Sequence, residues 1–319
     1  MSHKIWGVLA ALALVFGLST MANAAPLTSL SAVFPDSTVG DTATVATADT
    51  ISFTTATADT ICQIRIAFPD GFDFVDPDTA AASTGIGAPD TVYACQSSGG
   101  DTLFYDVASP VNIPAGTTIT LRLKGIVNDT TAGETTLQVA TYDTTGGLKQ
   151  IDGFTPVDVT LLARSAVKLA IKQQPSASDT VGSTLTTPLA IEAQDQYGNV
   201  DSTFTGSVTL SAWLAANTSI AGNGTITNGT VAAVKGKATF TDMIYDKAES
   251  VKFKGSASGL TVSPLSEAVT YIAAGPHYIS LASSKSSLVV GDNATITATV
   301  TDLYRNAVAD SDSVALTSQ

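Results

Sequence analysis

The chain has 319 residues, a net charge of −13 at pH 7, and 13% charged residues. The acidic excess lies in residues 25–163, which hold four basic and sixteen acidic side chains, whereas residues 164–275 hold eight of each. This balance argues against binding to nucleic acid or an anionic membrane surface, both of which need basic patches. Low charge with abundant Thr and Val favours half-buried strands, and no long stretch shows a 3.6-residue period, so we predict an all-β protein.

The first 24 residues have the pattern of a signal peptide. Lys4 gives a positive start, Ile5 to Leu18 carries no charge, and Ala22-Asn23-Ala24 has the small-x-small pattern of a cleavage site. The apolar run is short for a membrane span, which makes a membrane anchor the weaker alternative. We therefore predict a secreted or cell-surface protein whose mature chain has no membrane span.

Residues 25–163 show short alternating segments separated by turn signals, which is the pattern of an acidic β-sandwich. Ile119, Leu121 and Leu123 share one face of a predicted strand. Strands are predicted at 28–34, 43–54, 61–68, 91–95, 103–107, 117–127, 136–142 and 156–162.

Cys62 and Cys95 are the only cysteines. Because the chain is predicted to be exported to an oxidising compartment, we predict a disulfide between them. Two buried free thiols are the alternative.

Four aspartates cluster in a segment predicted to be a loop: Asp70, Asp73, Asp76 and Asp78. Clustered carboxylates suit Ca²⁺, which takes six to eight oxygen ligands, although the spacing differs from an EF-hand loop. A solvated acidic loop without a ligand is the alternative. Calcium is the one cofactor that the sequence leaves open, and no other is predicted.

A five-residue motif occurs twice in the second half of the chain. Asp195-Gln196-Tyr197-Gly198-Asn199 recurs 107 positions later as Asp302-Leu303-Tyr304-Arg305-Asn306. Each copy follows an alternating run, so the aspartate is expected to end a strand and to accept hydrogen bonds from backbone amides of a turn. Gly198 and Asn199, and Arg305 and Asn306 in the copy, are expected to suit a turn position with positive φ. We interpret the motif as scaffold, with a ligand site as the minority alternative.

The repeat length is that of a domain. We predict a second β-sandwich over residues 164–275 and, after Gly275-Pro276, the truncated start of a further module over residues 276–319. Further strands are predicted to begin near Val167 and at 189–193, 207–214, 231–234, 238–241, 251–256, 268–272, 278–281, 294–302 and 313–316.

The second domain resembles the bacterial immunoglobulin-like modules of invasin- and intimin-type surface proteins. The resemblance is carried, in order, by 167–171, 195–199, 206–210 and 236–240, and residues 291–306 are similar to the front half of the same module. In the first domain, 68–72 and 113–117 resemble adhesin-type head domains. The resemblance implies tandem immunoglobulin-like β-sandwiches used as rod segments, with no catalytic residues.

Few residues offer other chemistry. His277 is the only histidine after the predicted cleavage site, so neither a Ser-His-Asp triad within a domain nor a histidine zinc site is expected. Trp213 has the aromatic surface of a sugar-stacking residue, but a place in the core or at the rim of the sandwich is favoured.

We therefore predict a non-enzymatic structural or adhesive protein, secreted or on the cell surface, whose partner is an extracellular protein or a glycan. The alternative is a non-catalytic, glycan-binding N-terminal region of a larger extracellular polysaccharide-degrading enzyme.

Overall fold

The computed structural model describes residues 24–95 and 101–308, which divide into two compact units between Arg164 and Ser165. Within these ranges every regular element is a strand, which confirms the predicted all-β class. No helix that could cross a membrane is found among them. Residues 1–23 of the predicted signal peptide and the strand predicted at 313–316 lie outside the described residues. The predicted division into three domains stays a prediction.

The first unit is a sandwich of two main sheets. The six-stranded sheet has the order β1-β12-β11-β5-β8-β7, and the four-stranded sheet the order β2-β3-β10-β6, with β4 and β9 forming a small pair. The strands are β1 Ala25–Pro26, β2 Thr28–Val33, β3 Asp49–Thr54, β4 Asp59–Thr60, β5 Gln63–Phe68, β6 Asp73–Thr79, β7 Pro89–Cys95, β8 Asp101–Val107, β9 Asn112–Ile113, β10 Thr118–Val127, β11 Gly133–Asp143 and β12 Lys149–Leu161.

Alternation along the strands builds the core of this unit. Ile119, Leu121 and Leu123 of β10 are fully buried and meet Ile64 and Ile66 of β5 in one apolar cluster. Each such side chain contributes about 1.5–3 kcal/mol when it is fully buried. The odd-numbered positions of β10 up to Leu123 and the even-numbered positions of β5 therefore face inward, which fixes their register. The bulge between Lys124 and Ile126 then turns Ile126 inward.

The acidic segment that we predicted as a loop is a strand over most of its length. Residues Asp73–Thr79 form β6, which among the described strands pairs only with β10 and is an edge of the four-stranded sheet. Pro77 and exposed aspartates are compatible with this position because an edge strand needs partners on one side only. The strand was not predicted because the Asp and Pro residues of the segment are typical of turns.

The second unit contains a three-stranded sheet, β13-β15-β19, and a five-stranded sheet, β14-β22-β21-β16-β18, together with the pairs β17-β20 and β23-β24. Its strands are β13 Lys168–Gln173, β14 Ser178–Thr180, β15 Leu189–Gln194, β16 Ser207–Leu214, β17 Ile226–Thr227, β18 Thr230–Ala232, β19 Lys237–Phe240, β20 Ile244–Tyr245, β21 Ser250–Ser256, β22 Val269–Ile272, β23 Tyr278–Ser283 and β24 Ile296–Thr301.

The core of the second unit lies between its two larger sheets. Leu189 and Ile191 of β15, Phe240 of β19 and Phe253 of β21 are buried there. The pair β23-β24 follows β22 after a short linker, and most of its side chains are exposed. The two copies of the repeated motif begin where β15 and β24 end.

Candidate functional site

The first copy of the repeated motif is a turn built around one buried carboxylate. Asp195 is fully buried, and its Oδ1 accepts hydrogen bonds from the backbone amides of Tyr197 and Asn199, each at 2.9 Å. The side-chain amide of Asn199 donates to Oδ2 of Asp195 at 3.0 Å. Gly198 has a φ of 97°, as its place in the turn predicts.

The second copy repeats this geometry. Oδ1 of Asp302 accepts from the amides of Tyr304 and Asn306 at 2.9 and 2.8 Å, and Arg305 has a φ of 68°. Burial alone would raise the pKa of Asp302, but hydrogen bonds from Asn306, Ala274 and Tyr304 outweigh it and hold the pKa below its usual value. Asp302 is therefore an ionised carboxylate whose charge is satisfied within the protein.

The second copy also contacts the sandwich that precedes it in the chain. Oδ1 of Asn306 accepts a hydrogen bond from the backbone amide of Ala248 at 3.0 Å, and its Nδ2 donates to the backbone oxygen of Asp246 at 3.0 Å. Oδ2 of Asp302 accepts from the amide of Ala274 in the linker at 3.1 Å. Asn306 is 2% exposed, so these bonds are shielded from water.

Two further side chains of this turn make close contacts. A Cβ placed on Gly182 would lie 2.3 Å from Cε2 of Tyr304, so the ring covers the backbone of that residue. The guanidinium carbon of Arg305 lies 3.5 Å from the centre of the Tyr278 ring, within the range of a cation–π contact. We name the contacts of Asp302, Tyr304 and Asn306 with Gly182, Asp246, Ala248 and Ala274 the turn clamp.

Sequence reasoning identified the turn but not the clamp. The turn follows from local chemistry, because Asp and Asn bond amides two to four residues away. The clamp joins Asn306 to residues 58 and 60 positions earlier in the chain. In the sequence, nothing distinguishes the turns at Gly182 and Asp246–Ala248 from ordinary solvent-exposed loops, so their contacts with Tyr304 and Asn306 could not be predicted.

The four aspartates of the predicted calcium site do not form a ligand set in the structure. Oδ1 of Asp73 accepts from the amide of Phe74, and Oδ1 of Asp78 accepts from the amide of Thr79, each at 2.7 Å. Asp70 lies before β6 and forms an isolated bridge with Phe72. Nowhere in the described ranges do three His, Cys, Asp or Glu side chains lie together as a metal site requires. Calcium binding stays a prediction.

Asp76 and Asp78 instead line a groove between the edge strands β6 and β7. The groove has a volume of about 580 Å³. Asp90 and Tyr93 of β7 line its other side, and Lys124 of β10 lies 3.6 Å from Asp78. We name this cavity the β6–β7 groove.

The predicted disulfide is wrong, because Cys62 and Cys95 are both free thiols. The backbone oxygen of Cys62 accepts from the amide of Val107 at one end of β8, whereas Cys95 pairs with Thr102 at the other end. Five residues of strand span roughly 16 Å. The Cα atoms of a disulfide lie within about 7 Å of each other.

Trp213 lies on the outward face of β16 and is half-buried, so it is not part of the core. Its indole nitrogen donates to Oγ of Ser211 at 3.0 Å, and the amine of Lys254 lies 5.8 Å from the ring centre. His277 lies in the linker before β23, with its ring 4.3 Å from that of Tyr278. Among the residues that the structure describes, neither lies in a group of three His, Cys, Asp or Glu side chains that could hold a metal ion.

Comparison with family models finds no match, and comparison with curated proteins finds none. Among solved structures the chain is similar over most of its length to two bacterial adhesins. The Escherichia coli adhesin FdeC is 17% identical, with 90% of this chain and 78% of that chain covered and a TM-score of 0.40. The Yersinia pseudotuberculosis adhesin InvE is 15% identical, with 77% and 60% covered and a TM-score of 0.26.

A glycosyl hydrolase family 2 member from Bacteroides cellulosilyticus also matches. It is 11% identical, with 70% of this chain but only 23% of that chain covered and a TM-score of 0.27. The chain thus spans less than two thirds of InvE and of the hydrolase. At these identities and TM-scores the matches carry no argument about the function of this chain.

Proposed function

We propose that this chain is a structural and adhesive protein of the bacterial cell surface or its surroundings, in which β-sandwich modules are coupled end to end. The single observation that carries the proposal is the turn clamp. Binding domains that act independently can be joined by flexible linkers, which need no contacts between the domains. The clamp instead ties the segment after β22 to the sandwich before it.

The turn clamp, together with a backbone bond of His277, ties both ends of the short linker between β22 and β23. Ala274 in the linker donates to Asp302, and the amide of His277 donates to the backbone oxygen of Thr301 at 2.9 Å. The side chain of Asn306 then reaches past the linker to Asp246 and Ala248. A swinging motion of the β23-β24 pair would have to break these bonds together.

The turn clamp is costly in free energy to open because its polar groups are buried. A hydrogen bond contributes about 0.5–1.5 kcal/mol to stability, whereas a buried polar group that loses its partner costs about 1–3 kcal/mol. Asp302 and Asn306 are buried, so the open form of the joint would leave several polar groups unpaired or require water to enter. A coupled joint of this kind suits a protein that must hold a binding surface away from the cell.

The proposal is tested by locating the protein and by assaying it for hydrolysis. Antibodies raised against the purified chain should label intact cells of the source bacterium or detect the protein in the medium. The purified chain should release no reducing sugar from a panel of plant, algal and bacterial polysaccharides. Antigen found only after cell lysis, or hydrolysis of any polysaccharide by the chain itself, would contradict the proposal.

A further inference from the structure

The β6–β7 groove has one aromatic wall whose position is fixed by its neighbours. The ring of Tyr93 stacks on that of Phe104 with centres 4.8 Å apart and planes 7° from parallel. The guanidinium carbon of Arg65 lies 5.2 Å from the Phe104 ring and 4.2 Å from the Tyr142 ring, which continues the row across the sheet. Tyr93 at the end of this row remains 42% exposed and lines the groove.

Hydrogen bonds hold the same row in place. Nε of Arg65 donates to Oε1 of Gln63 at 2.5 Å, and Nε2 of Gln63 donates to Oδ1 of Asp106 at 2.5 Å. A rigid aromatic ring costs little conformational entropy when a ligand packs on it. Tyr93 is therefore a preorganised stacking surface and not a mobile surface side chain.

The strands on either side of the groove are poorly suited to accept an added peptide strand. Pro77 in β6 has no amide hydrogen, and Asp76 beside it has a φ of 47°, outside the extended region. On the other side β7 begins at Pro89, and its register with β8 shifts between Pro89 and Thr91. An extended peptide could not form a continuous ladder along β6, and along β7 it could pair only from Thr91 onward.

The charges around the groove select against anions. Among the described residues that line it, Asp76, Asp78 and Asp90 are acidic and Lys124, which is paired with Asp78, is the one cation. The first unit as a whole is acidic, with a net charge of −12 between residues 25 and 163. A polyanionic ligand would be repelled, whereas sugar hydroxyl groups can donate to the carboxylates and accept from the lysine.

We propose that the β6–β7 groove binds an uncharged glycan, with a sugar ring packed on Tyr93 and its hydroxyl groups bonded to Asp76, Asp78, Asp90 and Lys124. This inference rests on the proposed adhesive function and names the class of its ligand. The groove volume of about 580 Å³ lies within the range of small-molecule sites and accommodates a short oligosaccharide.

The test is a glycan array probed with the purified chain in the presence of EDTA. The array should hold uncharged oligosaccharides of hexoses and N-acetylhexosamines beside glycans that contain uronic or sialic acid. Binding to uncharged glycans is expected, and calorimetry should then show at least a roughly tenfold loss of affinity in Tyr93→Ala, because a central aromatic anchor is removed. Tyr93→Phe keeps the ring and should stay within about threefold of the wild type.

Two variants serve as matched controls. Tyr197→Ala removes a tyrosine of the second unit that is also 42% exposed, and Trp213→Ala removes the half-buried indole on the outward face of β16. Both should bind as the wild type does. The proposal is overturned if no uncharged glycan binds, if only acidic glycans or added calcium give binding, or if Trp213→Ala abolishes it while Tyr93→Ala does not.

Failure of this inference leaves the proposed function separately testable. Surface labelling and the absence of hydrolysis depend on neither Tyr93 nor the groove. An adhesive protein without glycan binding at the groove would keep both of those results. A protein that hydrolyses polysaccharides would contradict the function whatever the array shows.

Discussion

The ring of Tyr304 covers Gly182, which precedes it by 122 positions in the sequence. A Cβ on Gly182 would come within 2.3 Å of Cε2 of Tyr304, far closer than non-bonded carbon atoms approach. Gly182 also has a φ of 79°, which glycine adopts at little cost. The absence of a side chain at Gly182 thus allows the positive φ of its own turn and also leaves room for the Tyr304 ring of the next segment.

Gly182→Ala should lower the free energy of unfolding of the second unit by more than the positive φ alone would, because the added Cβ also clashes with the ring of Tyr304. Gly259→Ala is the matched control, because Gly259 has a φ of 77° and a Cβ added to it would have no neighbouring atom within 4 Å. We expect a loss of about 1 kcal/mol in Gly259→Ala from the positive φ and a clearly larger loss in Gly182→Ala. Urea unfolding followed by the fluorescence of Trp213, the only tryptophan after residue 24, measures both.

A double-mutant cycle separates the ring contact from the backbone strain. In a Tyr304→Ala background, Gly182→Ala should cost no more than Gly259→Ala does, because the clash is gone. An undiminished cost in that background would show that Tyr304 does not dock on Gly182.

Asn306→Ala should open the turn clamp. The change leaves the backbone oxygen of Asp246 and the amide of Ala248 without their partners, at a cost of about 1–3 kcal/mol if water does not replace them. Hydrogen exchange of the 246–248 segment should quicken while the core strand β15 stays protected. Asn217→Ala, which removes an exposed turn asparagine, should leave that segment unchanged, and equal exchange in the two variants would contradict the clamp.

The sequence was informative wherever one local rule decided the outcome. Alternation predicted β10 to within one residue at its start, because Ile119, Leu121 and Leu123 can be buried together only in a strand. The repeated turn was predicted because Asp195 and Asp302 bond amides close by in the chain. These features need no knowledge of what packs against them.

Features that depend on distant partners were missed. The sequence predicts an acidic loop where β6 lies, because Pro77 and its aspartates are tolerated only at an edge position, which no local pattern reveals. The turn clamp and the stacking of Tyr93 on Phe104 join segments that only the sheet topology brings together. The disulfide prediction failed for the same reason, because it used the compartment and not the distance between Cys62 and Cys95.

Thiol labelling should distinguish the two cysteines. Cys95 is exposed and Cys62 is buried, with its thiol directed at Oδ1 of Asp143 at 3.4 Å. A chromogenic disulfide reagent should therefore titrate about one thiol per chain in the native protein and two in denaturant without reductant. Cys95→Ser should abolish the native reaction and keep one thiol in denaturant. If the denatured, unreduced protein contained no reactive thiol, the predicted disulfide between Cys62 and Cys95 would be correct after all.

Asp49 should make the first unit less stable as the pH rises. It is 2% exposed, its Oδ2 has no hydrogen-bond partner within the described part of the chain, and burial, followed by the nearby Asp36 carboxylate, raises its pKa to about 8. The unfolded chain binds this proton only below about pH 4, so between pH 4 and 8 the folded state holds the extra proton. The contribution of this proton to the free energy of unfolding is therefore complete below the unfolded pKa, near pH 4. It is lost as the pH rises to the folded pKa, near pH 8.

The expected slope is a fall of about 1.4 kcal/mol per pH unit, and Asp49→Asn should remove it because the amide carries no charge. Urea unfolding from pH 5 to 7.5, followed by tyrosine circular dichroism, compares the two proteins. The difference between wild type and variant isolates Asp49, because all other titrating groups are common to both. The Trp213 transition of the second unit should be the same in both and serves as the internal reference. Parallel pH profiles for the two proteins would show that Asp49 is ionised in the folded state across this range.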